Sequence, residues 1–417
     1  MLRFLYVLAH ALFTLAFTLY GLLLALFGAA IALIPSRRAR PRLVIVGGGF
    51  TGCLVAKRVE RFFDVTLVDA KDYFEFTPSI LRVLTEPNHL SNIQIPHARY
   101  LDLRFATVQH ESAVAITPSA VVLQSGRQLP FEYLVFATGS SYAAPIKESP
   151  QSVVFLASRG ATLAQAHHEL QRSKSVLIIG GGIVAVELAA EIVEYFGAKI
   201  SVTIAHSGDR LMSRQGGSVS PSASAYCAQQ LGKMGVRICF GQRVVQGESR
   251  VCLSQTGAEF DADVVFVCTG IVPNSELFRT SPAFTSALDA SGFVNVDAQL
   301  RVKGFSNVFA GGDVVNIREE KLAQTAEYQG SVIAANLFAL RGGATPTASY
   351  TPGVRPLIIS LGRVDAAFCW GTWVITGFFA ALMKEVVEFK VMVSYRWRFP
   401  SLFSFEGERP ARSAKDV

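Results

Sequence analysis

At 417 residues the chain exceeds the roughly 100–200 residues of one ordinary domain, so two or three domains with separate cores are expected. Hydrophobic residues make up 50% of it, and the excess is concentrated before Pro35 and after Leu357. Lysine and arginine total 39 against 32 acids, with Arg37, Arg38, Arg40 and Arg42 beside the apolar start; no aromatic-interleaved basic tract is present, so the positive balance reads as attraction to anionic lipid and excludes nucleic acid as a partner.

The chain opens with a membrane-anchor signal. No Asp, Glu, Lys or Arg lies between Arg3 and Arg37, a run longer than the roughly 20 residues a helix needs to span the hydrocarbon core. A secretory signal carries a shorter apolar stretch, and Ala30-Ile31-Ala32 alone would support cleavage. The arginine flank places the body of the protein on the cytosolic side. A shallow hairpin within one leaflet is the alternative, since the run exceeds a single span. The sequence does not choose among endoplasmic reticulum, lipid droplet, mitochondrial outer membrane and plasma membrane.

Leu43-Val44-Ile45-Val46 is an unbroken, largely β-branched run, expected of a strand buried on both faces of a parallel sheet. It enters Gly47-Gly48-Gly49-Phe50-Thr51-Gly52 and then a helix-like stretch from Cys53 to Val59. Gly47 suits the tight turn, Gly49 the approach of a pyrophosphate, and Gly52 close helix packing, with the helix N-terminus facing the phosphates. The next strand, Val65 to Val68, ends at Asp69, where a carboxylate accepts from a ribose diol.

The pattern recurs. Ser175 to Ile179 precedes Gly180-Gly181-Gly182-Ile183-Val184-Ala185, with Gly180, Gly182 and Ala185 in the places of the three glycines. The helix that follows carries Glu187. The next strand, Ser201 to Ala205, ends at His206 rather than an acid, and Arg210 lies just beyond, so a 2′-phosphate is tolerated. Asp209, on the other hand, would restore a preference for the unphosphorylated nucleotide.

Further along, Phe136-Ala137-Thr138-Gly139 and Val267-Cys268-Thr269-Gly270 resemble the strand ends of two-dinucleotide-binding flavoproteins, and Asn307 to Asp313 resembles their late flavin motif. The resemblance runs from about Arg42 to Arg363. It implies an α/β fold of two Rossmann-like dinucleotide-binding domains in the glutathione-reductase-like topology, FAD in the first site and NADH or NADPH in the second. In that scheme Gly312 and Asp313 hold the ribityl chain, Thr138, Gly139 and Gly270 line the cofactors, and Glu187 orients the nicotinamide, a salt-bridged structural role being the alternative. The implied division is 1–36 membrane anchor, 37–149 and 271–345 the two parts of the FAD domain, 150–270 the NAD(P)H domain, 346–405 a C-terminal membrane and quinone-side region, and 406–417 a polar tail.

The six cysteines, Cys53, Cys227, Cys239, Cys252, Cys268 and Cys369, include no CxxC. That disfavours disulfide or sulfide chemistry at the flavin, which needs a thiol pair, and suits a reducing compartment. Leu322-Ala323-Gln324 and Glu327 begin a helix similar to the one lining the quinone site of type II NADH dehydrogenases. Pro356 to Asp365 resembles the corresponding region of the ferroptosis-suppressor family of flavoprotein quinone reductases, as do Val44 to Phe50 and Leu67 to Asp72, which include Lys71. Met1-Leu2 departs from that family's myristoylated start. The resemblance implies a membrane-associated FAD-dependent NAD(P)H:quinone oxidoreductase, with hydride passing from NAD(P)H to flavin and two electrons to a lipophilic, ubiquinone-type quinone. Gln324 and Glu327 are its quinone-side candidates, Glu327 as proton donor. Membrane lipid is the expected partner and a homodimer is left open; no metal site is expected. The rivals are a monodehydroascorbate-type reductase and an apoptosis-inducing-factor-like redox-sensing interaction protein. Trp370, Trp373 and Trp397, with Phe378, Phe379, Leu382, Val386, Phe389 and Val393 at helical spacing and Arg396 and Arg398 beside them, predict an amphipathic segment at the headgroup layer.

Overall fold

The computed structural model describes residues 40–148, 153–213, 219–245 and 251–396. The apolar N-terminal run, the first two arginines of its flank, Trp397, Arg398 and the polar tail lie outside the described residues, and so do the expected span and its hairpin alternative. Among the described residues, no helix is long and apolar enough to cross a membrane.

Two parallel sheets are built to one plan. In the first, β1 (Arg42–Val46) runs into α1 (Phe50–Val59), and β2 (Asp64–Asp69), β3 (Ala106–His110) and β4 (Tyr133–Phe136) follow. Strand β1 lies between β2 and β4, paired Arg42 to Asp64 through Val46 to Val68 on one side and Leu43 to Tyr133 through Val46 to Phe136 on the other. The second sheet repeats this arrangement. Strand β5 (Ser175–Ile179) leads into α2 (Ile183–Phe196), and β6 (Ser201–Ala205), β7 (Arg237–Cys239) and β8 (Val264–Val267) complete it in the order β7-β6-β5-β8. Leu43, Ile45 and Ile178 are wholly buried and Val176 nearly so, which is why the strands read as continuous apolar runs; each such side chain contributes about 1.5–3 kcal/mol.

The chain then returns to the first sheet. Strand β9 (Val308–Ala310) pairs parallel with β4 and completes the order β9-β4-β1-β2-β3. An antiparallel ribbon, Ser140–Ser141 against Val272–Pro273, ties together the loops that follow β4 and β8. Helix α3 (Ala323–Arg341) packs on α1 so closely that a Cβ on Gly330 would lie 3.1 Å from the Thr51 carbonyl.

A third unit closes the described chain. Strands β10 (Leu357–Ser360), β11 (Ala366–Trp370) and β12 (Trp373–Thr376) form an antiparallel sheet, and α4 (Phe378–Arg396) lies against it. The contact is made by Ala366, Ala380 and Ala381, side chains small enough to let helix and sheet approach. The far end of α4 reaches the first domain, where Tyr395 stacks on Phe74 with ring centroids 4.3 Å apart.

Candidate active site: two nucleotide cradles and a bridging helix

Each glycine turn begins with a residue that only glycine can be. Gly47 has φ +104° and Gly180 φ +113°, and a Cβ there would collide with the carbonyls of Ala137 and Cys268, at 2.3 and 2.2 Å. At the third position the sites diverge: a Cβ on Gly52 would lie 1.9 Å from the Gly47 carbonyl, whereas Ala185 is accommodated, fully buried. Beside Gly49 and Gly182 a Cβ would meet nothing within 4 Å, the open approach a pyrophosphate requires.

In the first cradle Asp69 is buried at the end of β2 and accepts from the Gly48 amide at 2.7 Å and the Lys71 amide at 3.0 Å. Burial pushes its carboxyl up, but His97 and Lys71 outweigh that and hold it below the ordinary aspartate range. The Lys71 ammonium sits over the Tyr73 ring, and Phe50 packs edge-on against Phe74 and Phe76. In the second cradle the imidazole of His206 occupies the equivalent place, 2.5 Å from a Cβ built on Gly181, as Asp69 is 2.4 Å from one built on Gly48. Burial lowers the His206 pKa. Its Nε2 lies 3.2 Å from Ser213 Oγ, and the Arg210 guanidinium makes a 3.5 Å contact with the Leu211 carbonyl. Asp209 is exposed.

The loops between the cradles are stitched together. Thr138 Oγ1 donates to the Asn274 carbonyl at 2.6 Å, and Asn274 Nδ2 returns a bond to the Thr138 carbonyl at 3.0 Å. Gly139 and Gly270 take positive φ, +67° and +120°. Asp313 accepts from Ser140 Oγ at 2.7 Å, and Lys147 Nζ lies 3.4 Å away. Gly312 donates its amide to Gln329 Oε1 at 2.7 Å, while Gln329 Nε2 donates to Glu319. Gln329 thus fastens the Gly312-Asp313 loop to α3.

The Thr51 hydroxyl donates to the Ala326 carbonyl at 2.9 Å and joins α1 to α3, beside the Gly311-Gly312 backbone. Leu322 and Ala323 form the start of α3, where Thr325 Oγ1 caps the turn by accepting from the Leu322 amide at 3.1 Å. Gln324 is half-buried in that first turn. Glu327, one position past it, is lifted to about 7 by burial, against the opposing pull of Lys390, Lys57 and Arg58. Those bases come from α4 and α1, so Glu327 belongs to a junction of three helices.

Glu187 is placed at a different junction. Its Oε1 accepts from the Ser360 amide of β10 at 2.9 Å and from Lys384 Nζ of α4 at 2.7 Å. Arg82 binds Glu385 at 2.6 Å and Glu191 at 3.4 Å in the same seam. The structure therefore brings the residues of each cradle together, but it places Glu187 against Ser360 and Lys384 and Glu327 near Lys390, Lys57 and Arg58. Lys384, Gln329, Lys147, Asn274 and His97 were not found by sequence reasoning. All six cysteines are free, and Cys53 is pushed up to about 12 by burial. Among the described residues no cluster of metal ligands occurs.

The exposed apolar residues differ in part from the expected set. Phe379 is 73% exposed and Met383 and Val387 follow it on the same face of α4, whereas Val393 is buried. Trp370, Trp373 at 74% and Ile375 extend this face onto β11 and β12. The stripe is displaced from the expected one because the rest of α4 is consumed by its own sheet and by Phe74 and Tyr100.

Duplicated glycine cradles, a late aspartate motif on the first and a helix packed on α1 and bonded to the Gly312-Asp313 loop define a two-dinucleotide flavoprotein reductase. The chain matches the pyridine nucleotide-disulphide oxidoreductase family across residues 41–330 and belongs to it; it is an FAD-dependent NAD(P)H oxidoreductase. Ferroptosis suppressor protein 1 of Homo sapiens is 31% identical over 375 residues, covering 85% of this chain and 95% of that protein. Apoptosis-inducing factor homolog B of Dictyostelium discoideum is 30% identical over 356 residues, covering 78% and 88%. Sulfide:quinone oxidoreductase of Aquifex aeolicus superposes with a TM-score of 0.72 at 19% identity, over 87% of this chain and 93% of that one. NDH2 of Plasmodium falciparum gives 0.69 at 13%, over 88% and 98%. At such identities these two likenesses speak for the fold alone.

Proposed function

We propose that the protein is a membrane-associated NAD(P)H:quinone oxidoreductase whose acceptor is a lipophilic quinone of the ubiquinone type. The observation that carries this reading is the C-terminal unit. One side of it presents Trp370, Trp373, Ile375, Phe379, Met383 and Val387 to solvent, and the other is bonded through Ser360 and Lys384 to Glu187 on the nucleotide-domain helix. Exposed tryptophans with an aliphatic stripe suit the headgroup boundary of a bilayer. A surface of that kind, fastened directly to the redox core, lets an acceptor enter from lipid. The uncharged N-terminal run and its arginine flank supply a second attachment in the same reading.

Bound FAD supplies hydride acceptance and the return of two electrons. The protein's part is position and charge. Gly47, Gly49 and Gly52 with Asp69, and Gly312 with Asp313, hold FAD; Gly180, Gly182 and Ala185 hold NAD(P)H, with Glu187 on the nicotinamide side. The start of α3, Leu322 to Gln324, turns the positive end of a long helix toward the flavin, which favours negative charge there. Glu327, protonated up to about pH 7, holds the proton that the quinol oxygen takes up. A thiol route is poorly served, since Cys53 is buried, single on its helix and far from thiolate character. NADPH is the better donor in this proposal, because His206 stands where a carboxylate would repel a 2′-phosphate and Arg210 lies beside it.

Steady-state turnover in liposomes tests the acceptor. Activity with a long-chain ubiquinone embedded in the bilayer is expected to exceed that with a soluble dye, and to fall when Trp370, Trp373 and Phe379 are replaced by serine. Equal activity of the two proteins on embedded quinone would remove the reading.

A further inference from the structure

Beneath the first glycine turn Asp69 heads a buried polar chain whose other members, His97, Tyr100 and Cys53, have no role above. Asp69 is 8% exposed, and His97, Tyr100 and Cys53 are completely buried. Asp69 Oδ2 accepts from the Gly48 amide, and His97 Nε2 faces that same oxygen at 3.4 Å, a polar contact short of hydrogen-bond geometry, and has no hydrogen-bond partner. On the far side of the ring, His97 Nδ1 lies 2.6 Å from Tyr100 Oη. Tyr100 Oη touches Cys53 Sγ, and Cys53 donates to the Gly48 carbonyl at 2.9 Å. The chain thus starts and ends on the glycine turn.

The carboxylate fixes where the protons sit. A lone pair on Nε2 would face a negative oxygen, so Nε2 carries the hydrogen and Nδ1 accepts from the Tyr100 hydroxyl. The ring has no freedom to turn: a Cβ built on Gly48 would lie 2.5 Å from His97 Cε1, and Tyr395 closes the far side against Tyr100 with centroids 5.3 Å apart. Water is excluded, which strengthens each bond in the chain.

We propose that His97 is a positioning residue for FAD: through Nε2–H it holds the Asp69 carboxylate in one rotamer, with Oδ2 turned to the glycine turn and Oδ1 kept for the adenosine ribose. The Lys71 amide at 3.0 Å uses one side of Oδ1, leaving an acceptor site on that oxygen for a hydroxyl. The inference rests on the first cradle being the FAD site. It explains why a histidine without solvent access, carried on a short helix well away in sequence, is packed under a nucleotide loop.

The experiment follows FAD release from the holoenzyme after dilution, read as recovery of free-flavin fluorescence, in His97→Leu, His97→Gln, Asp69→Asn and the His97→Leu/Asp69→Asn double variant, with the circular dichroism of each as the control for folding. Loss of the one polar contact that faces the buried carboxylate from this side predicts release at least about tenfold faster in His97→Leu. His97→Gln, whose amide reaches the Nε2 position, restores most of the wild-type rate. The double variant releases FAD no faster than Asp69→Asn alone, because His97 acts through that carboxylate. Wild-type release by His97→Leu, or rates that multiply in the double variant, would overturn the proposal while leaving the cradle intact. Wild-type release by Asp69→Asn would overturn the assignment of the cradle itself. If His97→Leu does not fold, His97→Asn, which reaches only the Nδ1 position, replaces it: faster release than His97→Gln supports the proposal and equal rates sink it.

Discussion

Glu327 holds its proton more tightly in the folded protein, at about 7, than at the ordinary 4.5 of an unfolded chain. The folded state therefore binds more protons between those values, and stability falls as pH rises from about 4.5 to about 7, then levels off. Replacing Glu327 with Gln should flatten that part of a stability profile measured by urea unfolding at pH 5 and pH 8. If the carboxyl also feeds a proton to the acceptor, wild-type quinol formation slows above pH about 7 and Glu327→Gln is slow throughout; a profile unchanged by the substitution would remove the role. Arg210 supports a second prediction. Arg210→Gln should lower kcat/KM for NADPH about tenfold, the loss of one charged hydrogen bond, and leave NADH nearly unaffected; equal effects on both donors would mean the guanidinium does not read the 2′ position. Residues of this kind differ in how visible they are from sequence. Asp69 and His206 stand at the ends of apolar strands, where position alone marks them. His97 does not: it comes to Asp69 only because Tyr73–Glu75 and Gln94–Pro96 pair and carry it back.

At the scale of elements, the glycine turns were legible because their requirement is local. A Cβ at Gly52 would overlap the Gly47 carbonyl at 1.9 Å, so Gly52→Ala must push α1 off its sheet. Purified Gly52→Ala is expected to lose bound FAD, measured as the ratio of flavin to protein absorbance, while Gly182→Ala, with open space around it, keeps its fold and loses NADPH affinity instead. The C-terminal unit was less legible. Strand β11 has no alternation, Ala366-Ala367-Phe368-Cys369-Trp370, since both of its faces are partly covered, by α4 and by the second domain. The amphipathic character of α4 was readable, but which face it shows was not, because Tyr395 is buried against Phe74 and Tyr100, far away in sequence. Lys384 was hidden for the same reason: its partner Glu187 is 197 residues distant. Lys384→Met leaves a buried carboxylate with only the Ser360 amide, and a loss of about 3 kcal/mol in unfolding free energy is expected.

Across the whole molecule, the arrangement follows from one duplicated plan and one strap. Two sheets with the same strand neighbours put both glycine turns at the ends of their sheets, and the ribbon of Ser140–Ser141 with Val272–Pro273 brings those ends together. Helix α4 then crosses from Glu187 and Glu191 of the second domain to Phe74 and Tyr100 of the first, carrying an apolar face outward. Sequence order supplied the two cradles and the return of the chain to the first sheet; the strap depends on contacts that no local pattern encodes. The central claim is that electrons leave this protein on a quinone. Anaerobic stopped-flow tests it: the bound flavin is reduced with NADPH, then mixed with a short-chain ubiquinone, and its absorbance is followed. Reoxidation at least as fast as steady-state turnover is the predicted result, and full reduction by NADPH followed by negligible reoxidation would contradict it.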